Sequence, residues 1–265
     1  MNVHPFSDRR RGIQREEPIE LYGLCFHPIL VEDYETFSAC KSALLLRQGT
    51  LPAVYAAMNY LACLWAYDYD ARENNQQSGF FARMMGVLRL SLRFSDSDGI
   101  APLLDKNDQR KLIGIRVRQG EVISDISTKE FREVRQLIAE QNGETLPDES
   151  ENPELLEALR DRAELNGEKL QVSFDDLLAS VAFQSNTTVR ELWGWTIKAF
   201  EQRRRAIDRH ISHLICGIGE MSGNVSWKNG NPYPSWCFDK KVDTRTQFVS
   251  EGEMLGQFGK VGSIQ

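Results

Sequence analysis

Cysteine and histidine are scarce in this sequence, which has five cysteines and four histidines among 265 residues. No two cysteines form a CxxC pair, and an odd number cannot pair completely within one chain. A disulfide framework and a cysteine-rich zinc site are therefore not predicted. We expect free, mostly packed thiols in a reducing compartment.

Familiar catalytic motifs are also missing. The sequence contains no G-x-S-x-G nucleophile elbow, no P-loop and no HExxH zinc motif. Its glycines do not form a phosphate-binding cradle, and no pattern marks two carboxylates as an acid–base pair. We therefore expect a protein that is not an enzyme and that needs no cofactor.

Long apolar runs and a net positive charge are absent as well. The net charge is -6, so binding to nucleic acid would need a local basic patch. Residues 48–67 carry no charge, but they include Gly49, Pro52 and Asn59, which favours a buried helix over a membrane span. The polar, basic start lacks the apolar region of a secretory signal. We expect a cytoplasmic protein without a membrane partner.

Composition changes divide the chain. Residues 144–169 hold nine acidic and three basic side chains, so this stretch alone has the net charge of the whole chain. Its two prolines, Pro147 and Pro153, disfavour regular structure. We predict a mainly α (α+β) fold with two helical modules and one or two short β-hairpins. The expected segments are a disordered arm (1–18), an amino-terminal module (19–143), an acidic linker (144–170), a carboxy-terminal module (171–238) and a weakly ordered tail (239–265).

Apolar periodicity predicts the elements of the amino-terminal module. Residues 19–29 alternate around Gly23, as in a hairpin, and residues 111–117 and 121–127 form a second strand pair. Apolar residues at helical spacing predict helices over 31–47, 51–69, 79–94 and from about 129 to 142. The helix over 51–69 is apolar on nearly every side, so we expect Leu61 and Trp65 at the centre of the core.

The carboxy-terminal module begins with two helix-capping patterns. Ser173 with Asp176, and Thr188 with Glu191, have the three-residue spacing of a capping box. A long helix follows from Ile197 to about Met221. It carries an apolar stripe formed by Phe200, Ile207, Ile211, Leu214, Ile215 and Ile218.

Two alternative sites lie on this long helix. His210, His213 and Cys216 have a spacing that could present soft metal ligands, with Cys237 nearby in sequence. No second close ligand pair accompanies them, so a packed helix face is the simpler interpretation. The basic run EQRRRAIDRH could contact phosphates as the third helix of a helix-turn-helix. Glu201 and Asp208 lie between these basic residues, a pattern that favours a solvated helix face, so we do not expect nucleic acid as a partner.

Aromatic residues cluster in the carboxy-terminal part. Tryptophan and tyrosine often anchor protein interfaces, and prolines lower the entropy lost when a loop binds. Packing within the module is the alternative use of such side chains. The candidate partner-binding residues are Trp193, Trp195, Phe200, Trp227, Tyr233 and Trp236.

Two stretches resemble a known family. They are ELYGLCFHPILVEDYETFSACKSALLLRQGTLPAVYAAMNYL, and RELWGWTIKAFEQRRRAIDRH with the later GNPYPSW. Both are similar to tail-assembly chaperones encoded by phages and prophages of Gram-positive bacteria, between the genes for the major tail protein and the tape-measure protein. The resemblance covers roughly residues 19–64 and 174–238.

The resemblance implies a function in the host cell cytoplasm. Such chaperones bind the long, helical tape-measure protein and keep it soluble while tail tube subunits assemble around it. Tail tube protein and a second copy of the chain are further partners to consider, and the family has no catalytic residues. The competing hypotheses are a phage DNA-associated or regulatory protein and a structural virion component.

Overall fold

The computed structural model describes residues 5–76, 78–149, 173–223, 225, 227 and 231–237. The fold is mainly α, with a two-stranded and a three-stranded antiparallel sheet among these residues, which confirms the predicted fold class. The chain forms two compact units, Met1–Arg203 and Arg204–Gln265.

The first unit opens with helix α1 (Pro5–Arg15) and the hairpin of β1 (Ile19–Leu21) and β2 (Leu24–Phe26). Helices α2 (Tyr34–Leu44), α3 (Ala53–Ala56), α4 (Tyr60–Glu73) and α5 (Phe80–Leu92) follow. A sheet comes next, formed by β3 (Gly99–Leu104), β4 (Leu112–Gln119) and β5 (Val122–Ser127). Helices α6 (Phe131–Gln141), α7 (Phe174–Ser185), α8 (Val189–Leu192) and α9 (Ile197–Met221) complete the described elements.

Both predicted hairpins are confirmed. Strand β1 pairs with β2, and β4 pairs with β5, each in antiparallel register. The turns use left-handed backbone at Gly23 (φ +74°) and Gly120 (φ +59°), which glycine adopts without a Cβ penalty. Strand β3 was not predicted, since GIAPLL has no clear alternation and contains Pro102. It lies at the sheet edge, where a residue without an N–H is tolerated.

The core of the first unit lies between its helices and the inner face of the larger sheet. Helices α2 and α5 approach so closely that a Cβ added at Gly86 would lie 2.9 Å from Sγ of Cys40. The largest fully buried side chains include Phe26, Phe37, Leu61, Leu64, Met84, Leu88, Phe131 and Phe200.

The predicted central helix over 51–69 is broken into two. Helix α3 ends at Ala56, and α4 begins at Tyr60 after Asn59, whose backbone is extended. Leu61 is fully buried, as expected. Trp65 is only partly buried, and its Nε1 donates a hydrogen bond to the carbonyl oxygen of Gln109. An apolar residue pattern alone does not reveal such a break, because the apolar residues continue through both helices and the residues between them.

The prediction of a disordered arm over 1–18 was wrong for the described residues, because Pro5–Arg15 forms helix α1. Ile13 packs against the core, and its carbonyl oxygen accepts a hydrogen bond from Nζ of Lys198 at 2.7 Å. Arg9 forms an ion pair with Glu140. Contacts with distant residues therefore hold this helix, which has no apolar face from which it could be predicted.

The predicted boundary between the modules was also wrong. The ring of Phe174 stacks on Tyr34, Thr196 forms a β-bridge with Leu30, and Ile197 belongs to the core cluster of the first unit. The separation into compact units comes after Arg203, inside α9. Residues 150–170 of the predicted linker and the predicted tail over 239–265 lie outside the described residues.

The described part of the predicted acidic linker, residues 144–149, makes defined contacts with the first unit's other residues. Glu144 forms a 2.6 Å ion pair with Lys41, and the carboxylate of Glu149 accepts hydrogen bonds from the backbone N–H groups of Gln48 and Gly49. In the predicted carboxy-terminal module, Ser173 caps α7 as expected, by accepting a hydrogen bond from the N–H of Asp176. Residues 144–149 thus belong to the first unit and do not form a free linker.

Candidate partner-binding surface

The six aromatic residues predicted to bind a partner are divided between the two compact units. Trp193, Trp195 and Phe200 belong to the first unit, and Trp227, Tyr233 and Trp236 to the second. Phe200 is fully buried, and Phe174 lies against it with ring centroids 6.2 Å apart. Its assignment as a partner-binding residue was wrong, because Phe174 and other residues of the first unit cover the turn of α9 on which Phe200 lies.

Trp193 and Trp195 help to join α8 and α9 to the rest of the first unit. Their carbonyl oxygens accept hydrogen bonds from the N–H groups of Glu32 and Val31, respectively. The Trp193 ring lies edge-on to Phe174, at 6.1 Å between centroids. Both side chains remain partly exposed, so packing and partner binding are compatible at these two positions.

The aromatic residues of the second unit are more accessible. Trp236 has 63% of its surface exposed and Trp227 has 38%. Tyr233 is partly buried, and its carbonyl oxygen lies 2.9 Å from Nδ1 of His213 on α9. The two tryptophans are large apolar side chains that remain accessible in the described structure.

An apolar stripe on α9 is the largest group of exposed apolar side chains in the second unit's described residues. Ile211, Leu214, Ile215 and Ile218 are 39%, 49%, 64% and 68% exposed, and Met221 reaches 90%. These residues recur at steps of three and four, so they share one face of the helix. We call these five side chains the α9 stripe.

The opposite side of this helix is covered by residues of the same unit. A Cβ at Gly219 would lie 3.6 Å from Val225, and Asn231 donates a hydrogen bond to the carboxylate of Glu220. Cys216 is buried. The α9 stripe is thus the exposed apolar face of a helix whose other face is already packed.

The alternative metal site is not assembled among the described residues, where no group of three His, Cys, Asp or Glu side chains converges. His210 is exposed, whereas Cys216 is buried. No helix in the described part of the chain is long and apolar enough to cross a membrane.

The basic run of α9 includes acidic residues on the same turns of the helix. The guanidinium of Arg203 lies 5.9 Å from the centroid of the Trp195 ring, within the range of a cation–π contact. Arg204 is partly buried, and Arg205 is exposed. The arrangement brings a few positive charges to one turn of the helix, next to Glu201 and Asp208.

The buried Arg135 is one of the residues that line an open cavity of about 1070 Å³ in the first unit. Arg135 donates hydrogen bonds to the carbonyl oxygens of Leu44 and Leu46, and its guanidinium lies 3.4 Å from the centroid of the Tyr60 ring. Burial lowers the pKa of Arg135 and raises the pKa of Tyr60. These contacts hold the carboxy-terminal end of α2, where helix carbonyls lack partners, and thus have a structural role.

The site list drawn from the sequence missed the α9 stripe, although the sequence contains its signal. All of its residues except Met221 were recognised as part of one apolar stripe, but they were not included among the predicted partner-binding residues. The exposed fractions come from tertiary packing, which sequence spacing cannot report. Comparison with known proteins found no family model, no curated protein and no solved structure that matches this chain.

Proposed function

We propose that this protein is a phage tail-assembly chaperone that binds the tape-measure protein in the host cell cytoplasm and keeps it soluble during tail tube assembly. It would act by binding alone, as a protein that is not an enzyme and needs no cofactor. The observation that carries the proposal is the α9 stripe, an exposed apolar helix face with exposed Trp227 and Trp236 in the same unit.

The stripe suits a helical client. An amphipathic helix docks through residues at steps of three and four, and the α9 stripe offers that spacing. Exposed apolar patches of this kind commonly mark sites of protein interaction. The net charge of -6 favours solubility of the complex formed with an aggregation-prone client.

Co-expression with the adjacent tape-measure protein tests the proposal. Wild-type chaperone should raise the soluble fraction of the client, whereas Trp236→Ala and Ile215→Glu should lower it. Truncating an aromatic anchor typically costs about 2 kcal/mol or more, roughly a thirtyfold loss of affinity. The matched control is Phe183→Glu, a change at an exposed apolar residue of α7. A client that is equally soluble without the chaperone would disprove the function.

Two further measurements separate the competing hypotheses. A phage DNA-associated protein would lose affinity steeply as salt concentration rises, whereas an apolar client complex would not. A structural virion component would be found by mass spectrometry of purified particles, whereas a chaperone should be absent from them.

A further inference from the structure

The apolar face of α9 repeats at the spacing of a coiled-coil seam. Ile207, Ile211, Leu214, Ile218 and Met221 follow one another at alternating steps of four and three. Such steps average 3.5 residues, the period that keeps one side of a helix turned toward a second helix. In heptad notation, Ile211 and Ile218 occupy a positions, and the other three residues occupy d positions.

The contacts that the described residues make leave this seam open from Ile211 to Met221. His213, Cys216 and Gly219 occupy the c, f and b positions, which lie on the side of the helix opposite a and d. His213 contacts the carbonyl oxygen of Tyr233, Val225 lies near Gly219, and Cys216 is buried. Exposure along the seam instead rises from 39% at Ile211 to 90% at Met221. An occupant of the seam would therefore leave these contacts in place.

We propose that a second copy of this chain occupies the seam, so that two α9 helices form a parallel, in-register, two-stranded coiled coil. β-Branched residues at a and leucine at d favour two parallel strands, and the central layers of the α9 seam follow this rule, with Ile211 and Ile218 at a and Leu214 at the d position between them. Parallel pairing places each layer beside its own counterpart. The inference concerns the protein without a client and does not depend on the proposed function.

Charges beside the seam favour the parallel orientation. Arg203 occupies a g position and Asp208 the following e position. In a parallel pair, g of one helix faces the next e of the other, so symmetry creates two Arg203–Asp208 pairs between the copies. An antiparallel pair would place g beside g and e beside e, and no opposite charges would meet among these positions.

Arg204 sets the amino-terminal limit of the apolar seam. It occupies the a position before Ile207, where an apolar residue would extend the interface. A single polar or charged a residue fixes the register and the number of strands at a cost in stability. Two copies that slid by one heptad would place Arg204 against Ile211, so the in-register pair is favoured.

The first test is the mass of the full-length protein in solution, measured by sedimentation equilibrium over a series of concentrations. The wild type should associate into two-chain particles. Leu214→Glu and Ile218→Glu should each weaken association by about thirtyfold or more, because each introduces paired like charges into the seam. Both residues are exposed in the single chain, so neither change should alter its circular dichroism.

A matched control has an added charge away from the seam. Phe183→Glu changes an 82% exposed residue of α7 and should leave the association unchanged. A wild type that is monomeric at every concentration would overturn the proposal, and so would a dimer that Leu214→Glu does not weaken. A three-chain or four-chain particle would overturn the two-stranded arrangement.

Two further variants test the orientation. Oxidised Leu214→Cys should cross-link two chains, because parallel d residues meet their counterparts, in excess of the wild-type background from its own cysteines. Asp208→Arg should weaken association, and adding Arg203→Glu to it should restore the lost affinity. Absence of the Leu214→Cys cross-link, or no rescue by the double change, would overturn the parallel geometry.

Discussion

The ring of Phe174 lies flat on the ring of Tyr34, with centroids 4.3 Å apart and an angle of 2° between the planes. Tyr34 begins α2 and Phe174 begins α7, so the contact joins two parts of the chain that are 140 positions apart in the sequence. Phe174 also touches Trp193 and Phe200, which makes it the link between α2, α8 and α9. This packing explains why residues up to Arg203 belong to the first unit.

We predict that residues 1–149 and 173–265, expressed as two separate chains, form a stable complex. The contacts of Phe174, the Leu30–Thr196 bridge and buried Ile197 all cross between the two chains. Phe174→Ala should weaken the complex roughly tenfold, because aromatic pairs contribute about 0.5–1.5 kcal/mol beyond their burial. The exposed Phe183→Ala is the control. Co-purification through a tag on one chain measures complex formation. Two wild-type chains that elute separately would refute the prediction.

Leu61→Ala should destabilise the protein by about 2–5 kcal/mol, the usual cost of a cavity left by a buried leucine. Leu61 is fully buried in α4, whereas Val54 of α3 is 57% exposed. Val54→Ala should therefore change the free energy of unfolding little. Denaturant unfolding, followed by circular dichroism, gives the free energy of unfolding of the Leu61→Ala and Val54→Ala variants. Equal losses in both variants would show that α3 and α4 face the core alike.

Gly114→Ala should cost about 1–3 kcal/mol, the range for overpacking a tight site. A Cβ at Gly114 in β4 would clash with the backbone carbonyl group of Ile126, so the paired strands would have to separate. Gly99→Ala in β3 is the matched control, because no atom lies within 4 Å of an added Cβ there. Thermal unfolding should give a lower melting temperature for Gly114→Ala than for Gly99→Ala. Equal melting temperatures would contradict the close approach of β4 and β5 at Gly114.

The capping box of α8 should make stability depend on pH in the acid range. Hydrogen bonds from Thr187 and Thr188 hold the pKa of Glu191 below its ordinary value of 4.5. A carboxylate with a lowered pKa in the folded state contributes stability above its unfolded pKa and loses it as pH falls through the folded pKa. Glu191→Gln should flatten that part of the stability curve. The free energy of unfolding, measured from neutral to acid pH for the wild type and Glu191→Gln, tests this prediction. If the two free energies fell in parallel as the pH is lowered, the prediction would be refuted.

If the α9 seam serves both a second copy and a client, the two occupants should compete. An oxidised Leu214→Cys dimer should then fail to keep the tape-measure protein soluble, and reduction should restore this activity to the same sample. The wild type, oxidised and reduced in the same way, is the control. A cross-linked dimer that remains fully active would show that the client binds elsewhere, for example around Trp236.

Local signals in the sequence identified much of the fold. Thr188 and Glu191 predicted the start of α8, since a capping box is completed by residues three positions apart. Gly23 and Gly120 marked two turns whose strands alternate. In contrast, α1 depends on Lys198 and Glu140, which lie far away in the sequence, and no local pattern could have predicted those contacts.

In the candidate site, too, the sequence predicted the local structure but not the burial of the residues. Spacing in the sequence was sufficient to predict α9 and its apolar stripe, because a helix of regular period puts those residues on one face. Spacing could not separate Phe200, which is fully buried, from Ile218, which is 68% exposed. Only the tertiary structure decided which of the two residues is buried, because burial depends on which other residues reach each turn of the helix. Phe174 packs against Phe200. Near the end of α9, Val225 lies against Gly219, on the side of the helix away from Ile218.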